Sequence, residues 1–64
     1  MEKGYKLKCV ESACGVTEGK IYEITNVIED EIFYIINDFR EEDYFKFSDV
    51  YDYSESFYNF EIVD

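Results

Sequence analysis

The sequence predicts an all-β fold, a small five-stranded antiparallel barrel. Three observations point there. Short segments rich in β-branched and aromatic residues recur along 64 residues. Seven Tyr and six Phe supply material for a core. No proline is present, and the glycines stand at 4, 15 and 19, where turns are needed.

Each element follows from the order of side chains. Tyr5, Leu7 and Cys9 alternate with Lys6 and Lys8, so residues 5–10 read as a half-buried strand with the lysines outward. Residues 11–19 contain Ser12, Gly15, Thr17 and Gly19 and read as a loop. Residues 20–28 form a second strand, with Tyr22, Ile24, Asn26 and Ile28 on one face and Ile21, Glu23, Thr25 and Val27 on the other. Glu29-Asp30-Glu31 is a charged turn. Ile32 to Ile36 is a five-residue apolar run, short enough to be a central strand.

Residues 37–42 have the composition of a hairpin loop, and Asp43 to Phe47 alternate weakly as a fourth strand. Near residues 48–54, Ser48 or Asp49 caps one helical turn, or the segment is an irregular connector. Phe57 to Val63 read as a fifth strand with Tyr58, Phe60 and Ile62 inward. Curling five such strands into a barrel hides one apolar face and removes most free edges.

At this length one domain spans residues 1–64. Chains of about 60 residues bury only about 60% of the surface they expose when unfolded, so stability is thin. Sixteen acidic against six basic side chains leave a net charge of -10, which opposes compaction, so added salt is expected to stabilise the fold. The opening residues lead into no apolar run of about 7–15 residues, and nothing approaches the ~18 apolar residues of a membrane span. This predicts a cytoplasmic protein with reduced thiols, Cys9 in the core and Cys14 in a loop. A local disulfide is the alternative. A tetrahedral zinc site lacks ligands unless two chains share it.

Several stretches resemble the small SH3-like β-barrel proteins of phages of Gram-positive bacteria. They are Lys6-Leu7-Lys8-Cys9-Val10, Thr17-Glu18-Gly19-Lys20-Ile21-Tyr22-Glu23-Ile24, Tyr34-Ile35-Ile36-Asn37-Asp38 and Tyr44-Phe45-Lys46. The likeness covers roughly the first three quarters of the chain. It implies an SH3-like barrel in which the Thr-x-Gly-Lys-x-Tyr segment closes the first long loop. There Gly19 permits a turn that a Cβ would hinder, and Tyr22 returns to the core. It also implies a phage accessory product, many of which disable host defences. The tail from Asp49 onward departs from the pattern, being more acidic and richer in tyrosine.

The chain holds few tools for catalysis. There is no histidine to act as a base near neutral pH, no nucleophile–base set and no phosphate-binding glycine loop. Glu29-Asp30-Glu31 and Glu41-Glu42-Asp43 lack the ligand spacing of a calcium loop. The expectation is a protein without enzymatic activity, cofactor or metal. Lys3, Lys6, Lys8 and Lys20 gather in the first third, yet the overall field repels phosphate, which argues against direct nucleic-acid binding.

The second half is the more acidic. Asp38, Glu41, Glu42, Asp43, Asp49, Asp52, Glu55, Glu61 and Asp64 lie there among Tyr44, Tyr51, Tyr53 and Tyr58. Proteins hold DNA largely through Lys and Arg aimed at phosphates, so a fixed carboxylate surface suits the same grooves. Tyrosines add apolar anchors with polar tips. The candidate partner-binding residues are therefore Asp38, Glu41, Glu42, Asp43, Tyr44, Asp49, Tyr51, Asp52, Tyr53, Glu55 and Tyr58, with Tyr58 read equally well as core. The function expected is inhibition of a basic host nucleic-acid-handling or defence protein, of the anti-CRISPR or anti-restriction type, by a monomer or homodimer acting as a DNA mimic. The alternative is a structural or assembly module that pairs through a barrel edge.

Overall fold

The computed structural model describes residues 1–54 and 56–63. The strands are β1 (Lys6–Cys9), β2 (Ile21–Ile28), β3 (Ile32–Ile36), β4 (Glu42–Lys46) and β5 (Phe60–Ile62). They form one antiparallel sheet in the order β4-β3-β2-β1-β5. The sheet curls into an SH3-like barrel that stays open between β4 and β5. Two 3-10 turns, Phe47–Asp49 and Tyr51–Tyr53, fill that gap, and Val50 bridges to Phe60 across it.

Alternation in β1 holds: Leu7 and Cys9 are fully buried, and Lys6 and Lys8 face out. In β2 it breaks midway. Tyr22 and Ile24 are buried, but Ile24 pairs with Ile35 and Asn26 with Tyr34, leaving Thr25 as an extra residue. This bulge turns Val27 toward the core and Asn26 and Ile28 toward solvent. Asn26 could not have stayed on the inward face without a buried partner for its amide. Thr25 Oγ1 donates to the Tyr34 carbonyl at 3.2 Å and secures the bulge.

Phe60 is the centre of the core. Its ring meets Tyr22 at 6.4 Å, Phe33 at 5.8 Å and Phe45 at 5.0 Å, each edge-to-face. Phe33 adds Phe47 at 6.3 Å. Cys9 is buried and free, and Cys14 is exposed and free. Burial pushes the Cys9 thiol above its ordinary pKa.

The tail differs from the sequence reading in extent. β5 covers three residues rather than seven, because Phe57 is exposed and Asn59 turns its N–H to the Asp49 carbonyl at 2.7 Å. The expected inward set keeps its direction, with Phe60 buried and Tyr58 and Ile62 half-buried. Phe47 leaves β4 and begins the first 3-10 turn. Among the described residues no helix is long and apolar enough to cross a membrane.

Candidate protein-binding surface

Asp38 is held inside the molecule's own hydrogen-bond network. Thr17 Oγ1 and the Tyr22 hydroxyl each donate to its carboxylate at 2.7 Å, and Lys20 Nζ stands at 3.3 Å. The Thr17 and Tyr22 hydrogen bonds, with Lys20 behind them, hold the Asp38 carboxyl below the usual carboxylate range. The Tyr22 hydroxyl also accepts the Thr17 N–H at 2.9 Å, and burial followed by the Asp38 bond raises its pKa. The Asp38 N–H reaches the Gly15 carbonyl at 2.7 Å. Gly15 has φ +86°, and a Cβ there would stand 3.2 Å from Asn37 Nδ2. Asp38 therefore pins the long loop after β1 to the β3–β4 turn. Gly19, at φ +90°, makes the loop's closing turn, and Tyr22 returns to the core.

Asp43 and Asp49 also serve the fold. Asn37 N–H donates to the Glu41 carbonyl and Phe47 N–H to the Glu31 carbonyl, both at 2.9 Å. With the β3–β4 register, this makes Ile35–Asp43 and Phe33–Phe45 the hydrogen-bonded pairs. Tyr44 and Lys46 then aim their N–H groups away from β3, along the sheet edge. Asp43 Oδ1 accepts the Tyr44 N–H at 2.9 Å, and Asp49 Oδ2 accepts the Lys46 N–H at 3.1 Å. Two carboxylates thus cap donors that would otherwise invite another strand.

The remaining candidates divide between the two ends of β4, about 13 Å apart at the usual strand rise. Glu41 is exposed at one end, and its N–H is taken by Asn37 Oδ1 at 3.1 Å. Glu42 is exposed on the outer face, within 3.4 Å of Thr25 Oγ1. At the other end Asp52 is exposed, and Tyr51 stacks edge-on against half-buried Tyr58 at 5.0 Å. Tyr53 packs on Phe47 at 5.1 Å, and its hydroxyl accepts from the Met1 amino group at 2.9 Å. Glu55 and Asp64 lie outside the described residues. The acidic and tyrosine-bearing segments therefore make two patches, with Tyr44 between them on β4.

Tyr44 belongs to a surface that the charge-based reading passed over. On the outer face of β2, β3 and β4, Asn26, Tyr34 and Tyr44 are in register, and so are Ile28, Ile32 and Lys46. Ile36 stands beside Glu42. Tyr34 and Tyr44 meet with ring centroids 6.1 Å apart. Ile28 is 41% exposed, Ile36 46% and Tyr44 58%. The signal in the sequence was the unbroken apolar run of β3, which one buried face cannot absorb.

Glu29 and Asp30, which open the β2–β3 turn, both take left-handed φ of 51° and 56°. The Glu31 N–H returns to the Ile28 carbonyl at 3.0 Å. Beside this turn a groove of about 400 Å³ is lined by Asp30, Glu31, Ile32, Lys46, Phe47 and Ser48. A second, of about 290 Å³, lies among Val10, Glu11, Ser56, Phe57 and Tyr58.

Among the described residues Lys20–Asp38 is the one ion pair. No group of three or more potential metal ligands forms among them. No family model, curated protein or solved structure matches the chain.

Proposed function

We propose that this chain is a phage-type inhibitory binding protein that docks on a basic surface of a host nucleic-acid-handling or defence protein and competes there with DNA. One observation carries the reading. Of the sixteen acidic side chains, Glu55 and Asp64 lie outside the described residues, and of the rest only Asp38 has a cationic partner. The others form no salt bridge, and of them Glu23 and Glu61 face Lys6 and Lys8 across the strands. Such a field draws cationic clefts and speeds encounter with them. Exposed Tyr44, Tyr51 and Tyr53 add contact area at low conformational cost.

The test presents the immobilised protein to host proteins that bind DNA-cellulose. Retention should fall with salt and yield to added duplex DNA. The triple reversal Glu41→Lys, Glu42→Lys, Asp52→Lys should abolish it. Retention indifferent to both salt and DNA would overturn the reading.

The apolar outer face favours a second reading, an assembly module. Its edge-pairing form is disfavoured by the carboxylate caps on β4. Light scattering separates the two, since self-assembly requires a mass that grows with concentration.

A further inference from the structure

We propose that the outer face of β2, β3 and β4 is the docking surface, and that it receives a protein surface with an apolar centre flanked by Lys and Arg. This rests on the basic-partner reading above and adds the location and the apolar requirement.

The centre of the face is Ile28, Ile32, Tyr34, Ile36 and Tyr44, drawn from three hydrogen-bonded strands. Contiguous apolar surface of this kind on a small protein marks an interaction site. Its ends are acidic. Glu29, Asp30 and Glu31 stand at one, and Glu41 and Glu42 at the other, all exposed. Arg40 and Lys46 are the cations set among them. An apolar centre with a charged rim is the anatomy of a protein interface, and the sign of the rim selects the partner. A second copy of this chain would bring acidic ends against acidic ends unless it were offset. A cationic protein pairs with both ends at once.

The turn adds to the case. Left-handed φ costs a residue such as Glu roughly 1–2 kcal/mol, and the chain bears this at Glu29, where Asn would fit more freely, while Asp30 tolerates it. Strain of this kind persists where the side chains have a use.

The experiment follows backbone amide shifts while two synthetic peptides of equal charge are added at about 0.15 M salt, where distant exposed charges are largely screened. One alternates Lys with Val and Phe, and the other alternates Lys with Ser. The apolar peptide should bind more tightly and shift Ile28, Ile32, Tyr34 and Tyr44. Tyr44→Ser should weaken the apolar peptide about tenfold, as loss of an aromatic anchor does, and leave the serine peptide unchanged. Tyr44 is exposed, so the fold should survive, and an unaltered melting curve checks this. Lys46→Gln removes a like charge and should tighten the apolar peptide roughly two- to fivefold.

Equal binding of both peptides, with shifts scattered over all carboxylates, overturns the docking face and leaves the basic-partner reading standing. So do shifts confined to Tyr51 and Tyr53. Binding of neither peptide overturns both. A dimer that Tyr44→Ser dissociates makes a second copy the occupant and overturns the proposal.

Discussion

The two outer faces of this barrel differ in how they settle their charge. Where β5, β1 and the first half of β2 meet, Lys6 stands opposite Glu23, and Lys8 stands between Ile21 and Glu61. Each cation has an anion one strand away, so the charges on this face balance in number although none closes to a salt bridge. Where the second half of β2 meets β3 and β4, the centre is isoleucine and tyrosine, and the carboxylates are pushed to the ends. Composition alone describes a uniformly acidic molecule. The strand register shows one balanced face and one with an apolar middle and ends where acidic residues outnumber Arg40 and Lys46. The bulge at Thr25 divides them, because it decides which side of β2 each half presents.

The largest expected effect breaks both faces together. Phe60→Ala removes the ring that joins the two halves of the sheet and should cost about 3–5 kcal/mol. A core of this size supplies about as much in total, so urea titration should find no cooperative transition in the variant.

Loosening one half comes next. Tyr22→Phe deletes the hydroxyl that accepts from Thr17 and donates to Asp38, at a cost of about 1–3 kcal/mol. Amide exchange should rise in residues 11–19 while β3 and β4 stay protected. Equal acceleration across both halves would dissolve the distinction.

The Asp38 network also has a pH signature. Its folded pKa lies below the unfolded one, so its stabilisation is complete above the ordinary carboxylate pKa of about 4 and fades as pH falls through the lower folded value. Comparing the parent chain with Asp38→Asn cancels the relief of repulsion as other carboxylates protonate. The stability gap between them should be widest near neutrality and close in strong acid.

Smaller changes sharpen the contrast. Glu29→Asn should stabilise by up to about 1 kcal/mol by relieving left-handed strain without adding the chain entropy of a glycine, yet weaken the apolar Lys peptide. The smallest effect is general. Moderate salt should raise the melting midpoint by screening the net charge of -10, and an unchanged midpoint would mean that self-repulsion does not act on folding.

Much of the frame was legible because neighbours in sequence determine it. Alternation in β1, the apolar run of β3 and the Gly19 turn are local facts. Two things were hidden by distance along the chain. Asp38 reads as a free surface carboxylate until Thr17 and Tyr22, sixteen and more residues earlier, fold onto it. Asp43 and Asp49 read as partner contacts until the register shows which N–H groups point outward. The bulge escaped because its signal, an amide at Asn26 on an apparently inward face, looked like one polar residue in a strand. The short β5 escaped because Phe57 and Tyr58 have strand propensity but sit beyond the reach of β1.

The carboxylate caps on β4 have a consequence for the protein in crowded surroundings. Filament growth begins when an incoming chain finds vacant donors along a sheet margin. By occupying the donors of Tyr44 and Lys46 with its own oxygens, the molecule withholds most of that template and leaves only Glu42 at the end of β4 with an outward N–H, and a concentrated stock should resist seeding while both aspartates are intact.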